Sequence, residues 1–153
     1  MLDKNRILIA LSESDRTKIL TEPFRRQTLP QQVFSAIWLL EAEVNNGGFS
    51  QYFGNFHSSE SAEFVVEALT AIVAPLTADI CGRAISVAFP SGLPVDSAAI
   101  RSAAANFSPK VLDALNSLDQ EFFAYPHNLT DLLFAYVTKH SEEFGVMPTE
   151  EAT

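Results

Sequence analysis

A single cysteine among 153 residues, Cys81, excludes an intramolecular disulfide, and no cluster of histidines joins it at the spacing of a structural zinc site. A reducing compartment is expected. No run approaches the roughly 20 apolar residues of a membrane-spanning helix, and the apolar stretch 7–11 is too brief for a secretory core. The expected location is therefore the cytoplasm. Basic side chains are scarce as well, with 10 Lys and Arg against 19 Asp and Glu for a net charge of -9. Six of them (Lys4, Arg6, Arg16, Lys18, Arg25 and Arg26) fall within residues 1–26 beside four acids, so that segment is about +2. The remainder, with 15 acidic and four basic residues, is -11. Such a body repels nucleic acid and anionic membrane and attracts basic surfaces, although acidity of this kind also serves solubility alone. Catalytic signatures are missing too: there is no Gly-x-Ser-x-Gly, phosphate loop, His-Glu-x-x-His or dinucleotide fingerprint. No catalytic residue, cofactor or resident metal is assigned from motifs.

What is present is a chain that is 47% apolar with 12 phenylalanines, enough to offset the entropy of ordering a backbone. Apolar residues recur at intervals of three and four, and strict alternation is scarce, which predicts an all-α, single compact multi-helix domain. The expected organisation is a basic helical segment over 1–26 packed on a domain over 27–147, with a frayed tail over 148–153. Val33, Phe34, Ile37, Trp38, Leu40 and Val44 predict a helix over 31–45, stopped by Asn45-Asn46-Gly47-Gly48, whose glycines accept left-handed backbone. A short helix or tight aromatic turn is expected over 49–55. One helix is predicted over 59–73 and another over 77–89, weakened at Gly82. Asp96, Ser108 and Asn128 are N-cap candidates for helices over 96–106, 108–123 and 128–144, with Gly145 and Pro148 closing the last. Asp131, three positions after Asn128, suggests a capping box.

Rotation by 100° per residue puts Glu41, Asp119 and His140 on the apolar faces of their helices. Buried charge is costly unless partnered, so such groups are structural anchors or members of a functional site. As anchors, Glu41 or Asn45 would accept N–H groups of the glycine turn, and Asp119 would pair with His140. As a site, the three would form a two-carboxylate, one-histidine pocket for metal binding or acid-base work. His57 and His127 are expected solvated in loops, and Cys81 is expected as inert packing. Glu60, Glu63 and Glu67 fall on one arc of the predicted 59–73 helix, opposite its apolar stripe and with no basic residue on that helix. Carboxylates about 5–6 Å apart on a rigid helix approximate a row of nucleic-acid phosphates. Glu142 and Glu143 form a second acidic pair.

The run Glu43-Val44-Asn45-Asn46-Gly47-Gly48-Phe49-Ser50-Gln51-Tyr52-Phe53-Gly54-Asn55 resembles the signature of the DNA-mimic protein nineteen-like domain family. Leu118-Asp119 with Phe122-Phe123, and Tyr136-Val137 before His140 and Phe144, are similar to that family's later helices, so the resemblance extends over about 34–144. It implies an all-α fold, often dimeric, in which Asn45, Asn46, Gly47, Gly48, Gln51, Tyr52 and Asn55 act as fold determinants. It also implies an acidic protein that occupies the DNA-binding surface of a transcription factor or another basic partner. By their position and charge, Glu60, Glu63 and Glu67, with Glu142 and Glu143 second, are the expected contact residues. An immunity or antitoxin protein directed against a basic toxin would be served by the same acidity.

Overall fold

In the computed structural model, which describes residues 3–19 and 21–145, the chain forms nine helices and no strand among the described residues. They are α1 (Lys4–Ser12), α2 (Leu29–Gly54), α3 (Phe56–Ser61), α4 (Val65–Ala71), α5 (Pro75–Ala88), α6 (Ser97–Ala104), α7 (Pro109–Phe123), α8 (Leu129–Lys139) and α9 (Ser141–Phe144), with a 3-10 turn at Phe24–Arg26. The all-α, single-domain expectation holds. Pro148 and the expected tail over 148–153 lie outside the described residues.

Local chemistry sets most helix starts. The Thr28 hydroxyl accepts the Gln31 N–H while the Gln31 side chain accepts the Thr28 N–H, a reciprocal cap that opens α2. Asp96, Ser108 and Asn128 cap α6, α7 and α8 through the N–H groups of Ala98, Val111 and Asp131. The box expected at Asn128 closes on one side only, because the Asp131 carboxylate turns to Lys4 Nζ at 3.3 Å and ties α8 to α1.

Helix α2 is the axis of the molecule: α3, α4, α6, α7, α8 and the 3-10 turn all pack on it. Val33, Phe34, Ile37, Leu40 and Val44 in its first arm, and Phe49, Tyr52 and Phe53 in its second, are fully buried. Edge-to-face aromatic contacts extend the second arm outward, from Phe49 to Phe122 at 6.0 Å and from Phe53 to Phe89 at 5.2 Å. Such pairs each add about 1 kcal/mol beyond the area they bury. Ile7, Leu8 and Leu11 of α1 are buried as well.

Two long helices predicted from periodicity are broken. The stretch 59–73 is not one helix: α3 ends at Ser61, a turn follows, and α4 begins at Val65. Ser58, Ser59 and Ser61 are buried, and their hydroxyls donate to the carbonyls of Tyr52, Phe56 and Ser58, so side-chain bonds compete with the helical ladder there. The stretch 128–144 breaks at His140 (φ -107°, ψ 40°), which separates α8 from the single turn α9.

Gly82 lies inside α5 with open space where a Cβ would stand. Gly82→Ala should therefore stabilise the fold by about 0.5–1 kcal/mol, mainly by restricting the unfolded chain. A thermal melt monitored by circular dichroism should show a midpoint raised by roughly 2–4 °C per kcal/mol.

Candidate functional site

The Asn-Asn-Gly-Gly segment is a kink within α2 that joins its two helical arms. Gly47 (φ -156°) and Gly48 (φ +75°, ψ -175°) leave helical geometry, and Phe49 restarts it. The restart needs an acceptor for its first N–H. Asp119 of α7 supplies one, its Oδ1 accepting the Phe49 N–H at 2.8 Å across 70 residues. The carboxylate lies so close that a Cβ on Gly48 would stand 2.8 Å from the Asp119 carboxyl carbon. Left-handed backbone and close approach both require glycine at 48. The acceptor is thus neither Glu41 nor Asn45, and Asp119 has no bond to His140.

Glu41 and Asn45 serve another partner. Tyr125, just past the end of α7, donates its hydroxyl proton to Glu41 Oε2 at 2.9 Å and accepts from Asn45 Nδ2 at 2.7 Å. Its own backbone is left-handed (φ +48°), a conformation that costs a non-glycine residue about 1 kcal/mol or more and that the surrounding bonds hold in place. Burial pushes the Glu41 carboxyl above the usual carboxylate range, partly offset by the Tyr125 hydroxyl. Burial likewise raises Asp119, partly offset by the Phe49 N–H. The Tyr125 phenol is pushed up to about 12, chiefly by burial. A shallow cleft of about 460 Å³ opens beside this network, lined by Glu41, Tyr125, His127, Asn128, Leu129 and Thr130.

On the other side of the break, Glu43 joins the two arms of α2. Its Oε2 accepts from Gln51 Nε2 at 2.7 Å and from Asn55 Nδ2 at 3.3 Å. The Gln51 side chain thereby lies over Gly47, where a Cβ would meet it. Asn55 also caps α3 through the His57 N–H. Tyr52 is buried, its hydroxyl 3.3 Å from Ser61 Oγ. Asn46 is exposed.

Glu41, Asp119 and His140 therefore do not form a common pocket. His140 stacks on Tyr136 at 4.3 Å between ring centres and places Nδ1 3.8 Å from Glu142. Among the described residues, no group of three His, Cys, Asp or Glu side chains is placed to hold a metal ion. Cys81 is buried, and burial pushes its thiol above the usual range. His127, expected solvated, accepts the Leu76 N–H on Nε2 at 3.1 Å and so caps α5, whose own N-cap Ala74 has no side-chain oxygen.

The sequence does not single out Tyr125 or Glu43. Tyr125 stands past a helix end, where apolar periodicity carries no information. The following Pro126 gives no hint, since proline favours extended backbone before it and Tyr125 is left-handed. Glu43 was quoted only as part of a motif.

The break in the 59–73 helix also rearranges the acidic arc. Glu60 is on α3, Glu63 in the turn and Glu67 on α4, so the three do not stand at helical spacing on one stiff rod. A groove of about 430 Å³ is lined by Glu60, Glu63 and Asp96 together with Arg25 and Phe24. Glu142 and Glu143 sit on α9. Two other acids share one cation: Arg83 bridges Asp79 at 2.9 Å and Glu121 at 2.7 Å, which lowers the Glu121 carboxyl.

The model of the family described as DMP19-like protein matches residues 25–140 of this chain. No curated protein and no solved structure matches it. No described helix is long and apolar enough to cross a membrane.

Gly48→Ala should destabilise the fold by more than about 2 kcal/mol, and Asp119→Ala by about 1–2 kcal/mol through the lost cap. Because the new Cβ collides with the carboxylate, Gly48→Ala should cost less in the Asp119→Ala background, which a double-mutant cycle in urea would measure. Glu41 gives a pH test. A carboxyl raised on folding adds stability fully present below its unfolded value of about 4.5 and lost as pH rises through the folded value. Glu41→Gln keeps an acceptor for Tyr125 without the charge, so its midpoint should exceed that of the unaltered chain at pH 7, with the gap shrinking toward pH 4.

Proposed function

Since the chain belongs to the DMP19-like protein family, we propose that it is an acidic binding protein that occupies the DNA-binding surface of a nucleic-acid-binding partner in the cytoplasm. The reading assigns binding rather than catalysis. The observation that carries it is the charge of the body, -11 beyond residue 26, with Glu63, Glu67 and Glu142 exposed. Among the described residues none of Glu60, Glu63, Glu67, Glu142 and Glu143 is in a salt bridge to lysine or arginine; Glu142 has only His140 nearby. Unneutralised carboxylates held by folded elements keep their attraction for a cationic groove.

The breaks at 62–64 and at His140 alter how imitation of a phosphate strand would work. The acids come from separate short helices and a turn, so their spacing follows from packing and not from the pitch of one helix. Recognition then depends on the fold as a whole, and unfolding should abolish it where a peptide covering 59–73 would not replace it.

A native lysate passed over the immobilised protein should yield a DNA-binding partner that elutes as salt rises, and a duplex carrying that partner's site should compete. Affinity should fall at least roughly tenfold between 0.05 and 0.5 M salt. Glu63→Gln with Glu67→Gln should weaken capture without altering the melting midpoint. Retention indifferent to salt would count against an electrostatic partner.

A further inference from the structure

The acidic surface is not uniformly polar. Beside Ile19 and Thr21, helices α2 and α3 border two adjoining cavities of about 550 and 310 Å³. They share Ile19, Thr21, Leu39 and His57, so they are successive compartments of one trough. Ile19, Trp38, Leu39, Ala42 and Phe56 supply its apolar lining. Phe56 is 56% exposed, with the Arg101 guanidinium carbon 4.8 Å from its ring centre. Trp38 is stacked on buried Phe34 at 5.5 Å, which fixes its ring as a wall.

Carboxylates surround this lining. Glu13, Asp15 and Glu43 border the larger compartment, Glu22 and Glu60 the smaller, and no lysine or arginine is among the described residues that line either. Glu13, Asp15, Glu22 and Glu60 are in no salt bridge among the described residues. The pattern selects its occupant. A purely cationic segment would leave the apolar lining wet, forfeiting about 25 cal/mol for each Å² it could have buried. A purely apolar segment would strip water from the carboxylates with nothing in return. An amphipathic helix that is basic on its flanks satisfies both, with apolar side chains one or two turns apart entering successive compartments.

We propose that this trough docks a basic amphipathic helix presented by the partner protein. The inference rests on the reading above, that the partner is cationic, and adds to it a place and a shape. Bare nucleic acid is excluded by like charge, and phosphate imitation by itself would not need an apolar floor.

Trp38 is the only tryptophan and lines the trough, so its emission reports occupancy. The probes are three synthetic peptides of equal charge: a lysine-leucine helix with leucines on one face, the same composition scrambled, and oligolysine. The patterned peptide should bind at least roughly tenfold more tightly than the other two and shift Trp38 emission. Ala42→Gln, which fills the exposed floor without changing charge, should weaken the patterned peptide at least roughly tenfold and leave oligolysine unaffected. Leu39→Asn should do the same by removing an apolar contact, and melts would verify that both variants fold. Glu13→Gln with Glu22→Gln should flatten the salt dependence. Equal binding of all three peptides, or indifference to Ala42→Gln and Leu39→Asn alike, would overturn the docking trough while leaving a cation-binding protein. Failure of every cationic probe to bind would remove the underlying reading as well.

Discussion

The structure depends on one close approach: the Asp119 carboxylate against the backbone at Gly48 and Phe49. It lets the most buried helix change direction without leaving an N–H unpaired in the interior, where that would cost about 1–3 kcal/mol. The second arm can then carry Phe49, Tyr52 and Phe53 into the aromatic contacts with Phe122, Phe89 and Phe107. A straight helix would point those rings elsewhere, and α6 and α7 would lose the surface on which they pack.

The same region concentrates ionisable groups where water is limited. Glu41 and Asp119 are both raised by burial, and each is held by a single strong donor from a distant part of the chain. The arrangement reads as architecture. Tyr125 closes the α2–α7 contact on one side of the break, and Glu43 closes the two arms of α2 on the other. Among the described residues neither gathers three histidine, cysteine or carboxylate side chains that could hold a metal ion.

On the outside, acids fall into two populations. Asp79, Glu121 and Asp131 are tied to Arg83 and Lys4, and their charge is spent on the fold. Others, such as Glu13, Asp15, Glu22, Glu63, Glu67 and Glu142, are in no bridge to lysine or arginine among the described residues and face solvent or the apolar trough beside α2. Among the described residues Glu60, Glu63 and Glu67, on and between α3 and α4, and Glu13, Asp15 and Glu22, after α1, are bridged by no lysine or arginine, and burial of polar serines in α3 sets the spacing of the first three. Long-range attraction and short-range apolar fit coexist on that side, the former setting encounter rate and the latter residence.

The sequence by itself determined the helical class, the helix starts at Asp96, Ser108 and Asn128, and the need for glycine at position 48, because each depends on bonds within a few residues. It also determined that Glu41 and Asp119 face inward, since that follows from helical pitch. Their partners were not legible. Phe49 lies 70 residues from Asp119 and Tyr125 lies 84 from Glu41, and no local pattern encodes which side chains a fold brings together. Tertiary structure likewise decided that the 59–73 stretch is two helices, because serine hydroxyls bonded to nearby carbonyls while Ala62 and Val65 were both drawn into the core. Periodicity counts apolar positions along an ideal helix and is blind to such competition. Where the acids stand relative to one another, and the trough they border, are consequences of that bend.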